Sequence, residues 1–426
     1  MNREGGPRKL PSESALKSLL EGPGIHRPLA AVLRPLGLTP VTWAHLRSHH
    51  RPGAGITALY RVQAQPRRAA SAGQPGQTVH LQIGATTAAL PPETITGEPA
   101  GTVTATLDGT AIRLWVHPRD PVLTGLPWAT NAEAVARDVF VGTGTASLAL
   151  TAYRPLRRAV VRADHAGARA YLKVPQPKLA AGLRHRLELA AGAGLPVPPL
   201  LDAGPAAGSA RENVLVMDSL PGKSLHLQLR PAGAPAFDPD ALVDLLDRLP
   251  AGAMAFSRRP GWAERVVEYA DGAVVALGTE SGRISHLAGD IAAAVAAADP
   301  GPLVPSHGDF HGGNLLAVGN SETLEISGLL DVDALGPGHR VDDLACFLGH
   351  LRVLSALNPQ NSGLRAAAQL CTRSFARQTD PEALYARSAA VALTLVAGAA
   401  SRGRQAGGLT LATAEELLSS TRTGSG

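Results

Sequence analysis

The chain has 426 residues, 45% of them hydrophobic and only 4% aromatic, with a formal net charge of +5. That is length for two or three domains, with enough Leu, Val and Ala for a sizeable core. Two cysteines, Cys346 and Cys371, are too few for a disulfide framework or a thiolate zinc site, and the longest near-apolar run, at 389–400, is too short to cross a bilayer.

The charge is uneven. Residues 1–225 carry 25 Lys and Arg against 14 Asp and Glu, and residues 226–426 carry 15 against 21. Such a split can mark two kinds of partner. Nearly all the basic residues are Arg, however, and no basic strand is interleaved with aromatics, so no nucleic-acid partner is expected. The first residues mix both charge signs without an apolar stretch. A signal peptide is therefore not expected, and a cytoplasmic setting with no membrane partner is.

Residues 1–35 are punctuated by Pro and Gly and read as loosely ordered, with a short helix at 13–21. Residues 36–130 form a β-rich subdomain. Within it, "TVTATLDGTAIRLWV" predicts a hairpin turning at Asp108-Gly109, a pair suited to a type I′ turn, and residues 67–77 read as a flexible loop. Thr130 and Glu133 fit a capping box opening a helix to Phe140. Three strands follow in "ASLALTAY", "RAVVRAD" and "ARAYLKV", as one antiparallel meander. A helix at 178–191, a strand "NVLVMD" and a Pro-Gly connector close a small lobe at 131–223. Residues 224–426 read as a helical lobe, with helices at 238–249, 260–276, 282–298, 342–355, 363–378, 382–400 and 411–420. It is interrupted by two strands joined at residues 319–321.

The chemistry concentrates in that interruption. Residues 306–317 read "SHGDFHGGNLLA". Asp309 and Asn314 lie on a loop entering one strand, and Asp331 ends the returning strand. Paired strands bring Asn314 and Asp331 together. Two hard oxygen ligands beside the free carboxylate of Asp309 suit Mg²⁺ held jointly with substrate phosphates. The free carboxylate can orient a hydroxyl and accept its proton. Gly308, Gly312 and Gly313 allow tight bends and close approach. Upstream, Lys173 ends a strand in a chain with only five lysines. Glu188 follows on the next helix, within reach of an ion pair. A lysine on nucleotide phosphates held by a helix glutamate is the kinase arrangement.

These segments together resemble the aminoglycoside phosphotransferase family, particularly its actinobacterial members. "HGDFHGGN" is similar to that family's catalytic loop, and "LLDVDALGPGHRVDDLACFLGHL" to its metal-binding aspartate and following helix. "YRPLRRAVVRAD", "ARAYLKV" and "VLVMDSLPGKSL" are similar to its small lobe and hinge. The resemblance covers about 140–400. It implies an α+β, two-lobed protein-kinase-like fold with a β-rich N-terminal extension, binding ATP between the lobes. It further implies Asp309 as catalytic base, Asn314 and Asp331 on Mg²⁺, and Lys173 on the nucleotide phosphates, held by Glu188. Asp343 would brace the catalytic loop, His307 would make a structural hydrogen bond beneath it, and the hinge from Met217 to Leu220 would receive adenine. No G-x-G-x-x-G precedes Lys173. The turn there is "RPLRR", so Arg157 or Arg158 is expected to help hold phosphate.

The expected reaction is phosphorylation of a hydroxyl on a small-molecule acceptor. The acidic half, with Asp333 and Asp342 near the expected site, points to a cationic acceptor such as an amino sugar or aminoglycoside. A neutral-sugar kinase of the maltokinase type and a nucleotide-binding pseudokinase are the alternatives. A zinc hydrolase using His307, His311 and Asp309 with His339 or His350 leaves Lys173 and Asn314 without a role.

Overall fold

The structure, a computed structural model, describes residues 13–51, 55–67, 78–90, 102–201, 209–231, 236–320 and 322–422. All but the first residue of the loop expected at 67–77 lie outside this set. The chain divides into two compact units, residues 1–181 with 201–217, and residues 182–200 with 218–426.

The first unit opens with helices α1 (Glu13–Glu21) and α2 (His26–Leu33), then strands β1 (Leu38–Arg51), β2 (Gly55–Pro66), β3 (Val79–Thr86), β4 (Thr102–Leu107) and β5 (Thr110–Val116). The strands form an antiparallel sheet in the order β1-β2-β3-β5-β4. Alternation along β2 sends Ile56, Ala58, Tyr60, Val62 and Ala64 to one face, where they pack with Leu20, Ile25, Leu29 and Val32 of the helical segment. The Tyr60 hydroxyl donates to the Leu20 carbonyl at 2.6 Å. From residue 13 onward, Pro and Gly thus separate packed helices where loose order was expected. Strand β1 was not anticipated. The hairpin at Asp108-Gly109 forms as its turn chemistry demands: Leu107 faces Thr110, and the two turn residues have φ of 47° and 77°.

Helices α3 (Leu126–Ala129) and α4 (Ala132–Phe140) follow. The α4 cap is Asn131, whose side chain accepts from the Ala134 amide at 3.0 Å. Thr130 is already engaged at the end of α3, where its hydroxyl donates to the Leu126 carbonyl at 2.8 Å, so the start signal shifts by one residue. Strands β6 (Ser147–Arg154), β7 (Arg158–His165) and β8 (Ala168–Pro175) form the expected meander. Helix α5 (Pro177–Gly192) begins in this unit and ends in the second. After helix α6 (Ser209–Glu212), strand β9 (Leu215–Asp218) joins the meander beside β8.

The second unit holds β10 (Lys223–Ser224), α7 (Leu225–Gln228), β11 (Ala236–Phe237), α8 (Asp240–Asp247), α9 (Val266–Ala276), α10 (Ser281–Ala297), β12 (Leu303–Ser306), β13 (Leu315–Gly319), β14 (Thr323–Leu329), β15 (Gly336–His339), α11 (Arg340–Ala356), α12 (Ser362–Phe375), α13 (Pro381–Ala400) and α14 (Arg404–Ser419). Helix α14 starts before the expected 411. Helix α13 is apolar and, at 20 residues, long enough to cross a membrane, but 67% of its most apolar window is buried in this unit. Ala386, Ala389, Ala390, Leu393 and Val396 pack there against α9, α10 and α14. Cys346 and Cys371 are buried single thiols.

Gly84 on β3 shows how tightly the first unit is filled. A Cβ there would stand 2.2 Å from the Trp115 ring. Gly84→Ala should therefore cost about 1–3 kcal/mol by overpacking. A urea midpoint equal to wild type would show that Trp115 yields freely.

Candidate active site

Strand β12 delivers the chain to Ser306, and β15 pairs with it from Leu303↔His339 to Ser306↔Gly336. Since α11 begins directly after β15, its first turn is carried under the loop that leaves β12. Asp343, 1% exposed in that turn, accepts from the Ser306 hydroxyl at 2.9 Å, the His307 amide at 2.7 Å and the Gly308 amide at 2.8 Å. Burial pushes its carboxyl pKa up, while His307 and these three donors pull the other way. The indole of Trp262 donates to the Gly308 carbonyl at 3.1 Å. Gly308 has φ +78°, and a Cβ there would meet Ala334 at 2.8 Å.

His307 is fully buried. Its Nδ1 lies 3.3 Å from the Asp309 amide, so the proton belongs on Nε2, which reaches the Leu330 carbonyl at 3.0 Å. One imidazole thereby ties the loop to the end of β14. The hairpin register Leu315↔Leu329 continues into a bond from the Leu330 amide to the Asn314 carbonyl at 2.8 Å. This brings Asn314 beside Asp331, which adopts the left-handed backbone at φ 59°, a conformation more open to Asp and Asn than to most residues. The Asn314 Nδ2 donates to the Asp309 carbonyl at 2.9 Å and lies 3.4 Å from its carboxylate. With its amide nitrogen turned to Asp309, Asn314 has Oδ1 as the atom that would face a cation. Asp309, Asn314 and Asp331 are thus gathered, with His307 and Asp343 beneath. An amide and a carboxylate oxygen suit a hard cation that takes further ligands from phosphate.

The crowding of glycine around histidine also has a physical cause. The His311 Nδ1 accepts from the Gly313 amide at 3.0 Å, leaving Nε2 as the protonated nitrogen, 3.9 Å from Asp309 Oδ1. His311 stacks on His350 of α11 with centroids 4.3 Å apart, and on His226 of α7 at 5.7 Å. A Cβ on Gly312 would meet His226 at 2.5 Å, and one on Gly313 would meet His311 at 2.6 Å. The glycines make room for imidazoles. Burial lowers the pKa of all three, His226 to about 3, so the stack is neutral. Among the described residues no group of three His, Cys, Asp or Glu is placed to hold a metal ion, and parallel rings do not converge their nitrogens on one point. In the sequence His311 stands out only as a zinc-ligand candidate, and no motif marks His226.

Lys173 is 8% exposed on β8, opposite Val160. Arg157 is exposed and Arg158 half-buried at the β6–β7 turn, and Met217 and Leu220 are half-buried. Glu188 is exposed on α5. Asp342 is paired with buried Arg387 at 2.5 Å, so little of its charge remains to draw a ligand. Burial and Arg259 lower the Arg186 pKa, and Asp333 lies close enough to pull it partly back.

A family model described as the phosphotransferase enzyme family, APH, matches residues 136–386, more than half the chain. The chain belongs to this phosphotransferase family. The protein-kinase-like α+β fold expected from the sequence is that of the family, and the β-rich N-terminal extension precedes the matched segment. No curated protein matches the sequence. Among solved structures, a thermostable mutant of aminoglycoside phosphotransferase APH(4)-Ia is 16% identical with a TM-score of 0.45, over 69% of this chain and 99% of that one. Spectinomycin phosphotransferase APH(9)-Ia, in complex with ADP and spectinomycin, is 13% identical with a TM-score of 0.45, over 68% and 97%. A choline/ethanolamine kinase family protein from Mesorhizobium loti is 18% identical with a TM-score of 0.41, over 68% and 92%.

The neutral imidazole stack makes stability depend on pH. Burial depresses the His226 pKa on folding from its ordinary 6.5 to about 3. Its contribution is therefore complete above the unfolded value and is lost as pH falls toward the folded one. Between pH 7 and 5 this group alone should remove about 2 kcal/mol. Urea unfolding of wild type and His226→Phe at both pH values tests it: the variant should lose less. Equal losses would show that His226 protonates without cost to the fold.

Proposed function

We propose that the protein transfers the γ-phosphoryl group of ATP to a hydroxyl of a small molecule. The observation that carries this is the gathering of Asp309 and Asn314, on a loop fixed from below by Asp343, with Asp331 just past the end of β14. The acceptor hydroxyl attacks the γ-phosphorus, the bond to the ADP oxygen breaks, and the proton passes to the Asp309 carboxylate. Asn314 orients that carboxylate, and His311 presents a neutral N–H toward its other oxygen without adding a charge that would weaken the base. Asn314 and Asp331 would hold Mg²⁺, which supplies positive charge to the phosphates. Lys173 would hold the nucleotide phosphates, and Met217 to Leu220 the adenine.

Asp309→Ala should reduce ADP release in the presence of acceptor by about 10²–10⁴-fold and leave ATP binding near wild type. Asp331→Ala should weaken Mg·ATP binding as well. Near-normal turnover in Asp309→Ala would remove the base assignment. ATP binding without ADP release, across a panel of amino sugars, aminoglycosides, neutral sugars and amino alcohols, would favour a pseudokinase.

The acceptor proposed first is an amino sugar or aminoglycoside-like compound. With Asp342 taken up by Arg387, attraction for an amine falls to Asp333 and the loop carboxylates, and the preference should be modest. The ratio of kcat/KM for an amino sugar to that of its hydroxyl analogue should exceed one and fall as salt is raised. A ratio of one, indifferent to salt, would point to a neutral sugar.

A further inference from the structure

The β6–β7 turn contains a residue that its own sequence does not favour. The Arg157 amide bonds the Arg154 carbonyl at 3.0 Å, closing a four-residue turn with Pro155 second and Leu156 third. Leu156 has φ 62°. A positive φ at the third position belongs to a type II turn, where Gly or Asn is the usual choice. The next turn, between β7 and β8, follows custom in part, with Gly167 as its second left-handed residue.

Three contacts hold Leu156 in this conformation. Its amide donates to Asp120 Oδ2 at 2.8 Å, and its carbonyl accepts from the Gln176 side chain at 2.7 Å. Its side chain, 8% exposed, is packed with Trp115 and Val122. Asp120, 4% exposed, also accepts from the Tyr153 hydroxyl at 2.9 Å and from the amides of Val122 and Leu123 at 2.9 and 3.1 Å. Trp115 donates to the same Tyr153 hydroxyl at 3.0 Å. Every polar bond of this carboxylate thus goes either to its own loop or to the strand and turn at 153–156. Trp115, Asp120 and Val122 all precede the segment shared with the phosphotransferase family.

We propose that residues 115–123 are a brace that fixes the Arg154–Arg158 turn for nucleotide phosphate, with Asp120 as a positioning residue for the nucleotide; this rests on the phosphotransfer function proposed above. The turn precedes the strand pair that carries Lys173, and it bears Arg157 and Arg158. A glycine-rich loop must order itself around phosphate when the nucleotide binds. Here the ordering is done at folding, by a part of the chain outside the kinase-like core, and the guanidiniums are presented from a turn already held in shape. The left-handed Leu156 is the visible trace of that constraint.

Two variants test it. Asp120→Asn sets amide protons against the backbone donors, and Leu156→Gly accepts the positive φ while removing the apolar anchor, so it should fold in any case. Calorimetric titration with ATP and ADP-release kinetics, well below each unfolding temperature, should show Kd and KM for ATP raised about five- to twenty-fold, with acceptor KM little changed. Amide exchange at 154–158 should quicken by about tenfold or more. A purely structural Asp120 would lower the unfolding temperature and leave ATP affinity as it was. Unchanged ATP affinity in folded Leu156→Gly, or unchanged exchange in both variants, overturns the brace. A wild-type protein that binds no ATP overturns the phosphotransfer function and the nucleotide role together, while the exchange data still decide whether Asp120 holds the turn.

Discussion

The carboxylate of Asp343 is the point on which the loop at 306–314 depends. Buried in the first turn of α11, it takes two consecutive backbone amides and one hydroxyl from residues 306–308. Without it, those amides would be left unsatisfied inside the second unit, a cost borne by the whole loop. With it, the position of Asp309 follows from where α11 begins, and α11 begins where β15 ends. Helix, strand pair and loop are therefore one mechanical piece. His307 extends that piece to the far hairpin by spending one ring nitrogen on the Asp309 amide and the other on the Leu330 carbonyl.

The first unit repeats the device. Asp120, like Asp343, is a buried aspartate that collects backbone amides and a hydroxyl, and it too fixes a turn next to the expected chemistry. A carboxyl group is tolerated in such a place because its lone pairs are filled by donors. Burial pushes both acids up, and their donors pull both back. The histidine stack works differently. Its rings are kept neutral by burial and fitted to the loop by the absence of a Cβ at Gly312 and Gly313.

Features encoded by neighbouring residues were legible in the sequence. The type I′ hairpin at Asp108-Gly109, the β6–β8 meander and the clustering of Asp309 with Asn314 all follow from local chemistry and strand periodicity. Asp331 was legible one step further, through the expected hairpin. Strand β1 escaped because it lies at the sheet edge, contains Pro40 and breaks its register twice against β2, so its apolar residues do not alternate cleanly. The start of α14 escaped because Gly407 and Gly408 lie in its opening turns; Gly407 is there for contact with Ala400 and Leu277. Asn131 took the cap from Thr130 because Thr130 was already bonded to α3. The bracing role of Asp343 was legible only through family resemblance, and His226 and Asp120 not at all, because their partners are distant in sequence.

The segment shared with the phosphotransferase family, 136–386, ends partway along α13, whose remaining turns carry Leu393 and Val396 into the core of the second unit. It begins after Trp115 and Asp120, which complete the core beneath the β6–β7 turn. Kinship and cohesion therefore have different borders in this molecule. A fragment trimmed to the shared segment would expose the Tyr153 hydroxyl and the Leu156 amide at one end and an apolar helix face at the other. The family match covers the loop at 306–314; the packing that completes each unit's core extends past that match on both sides.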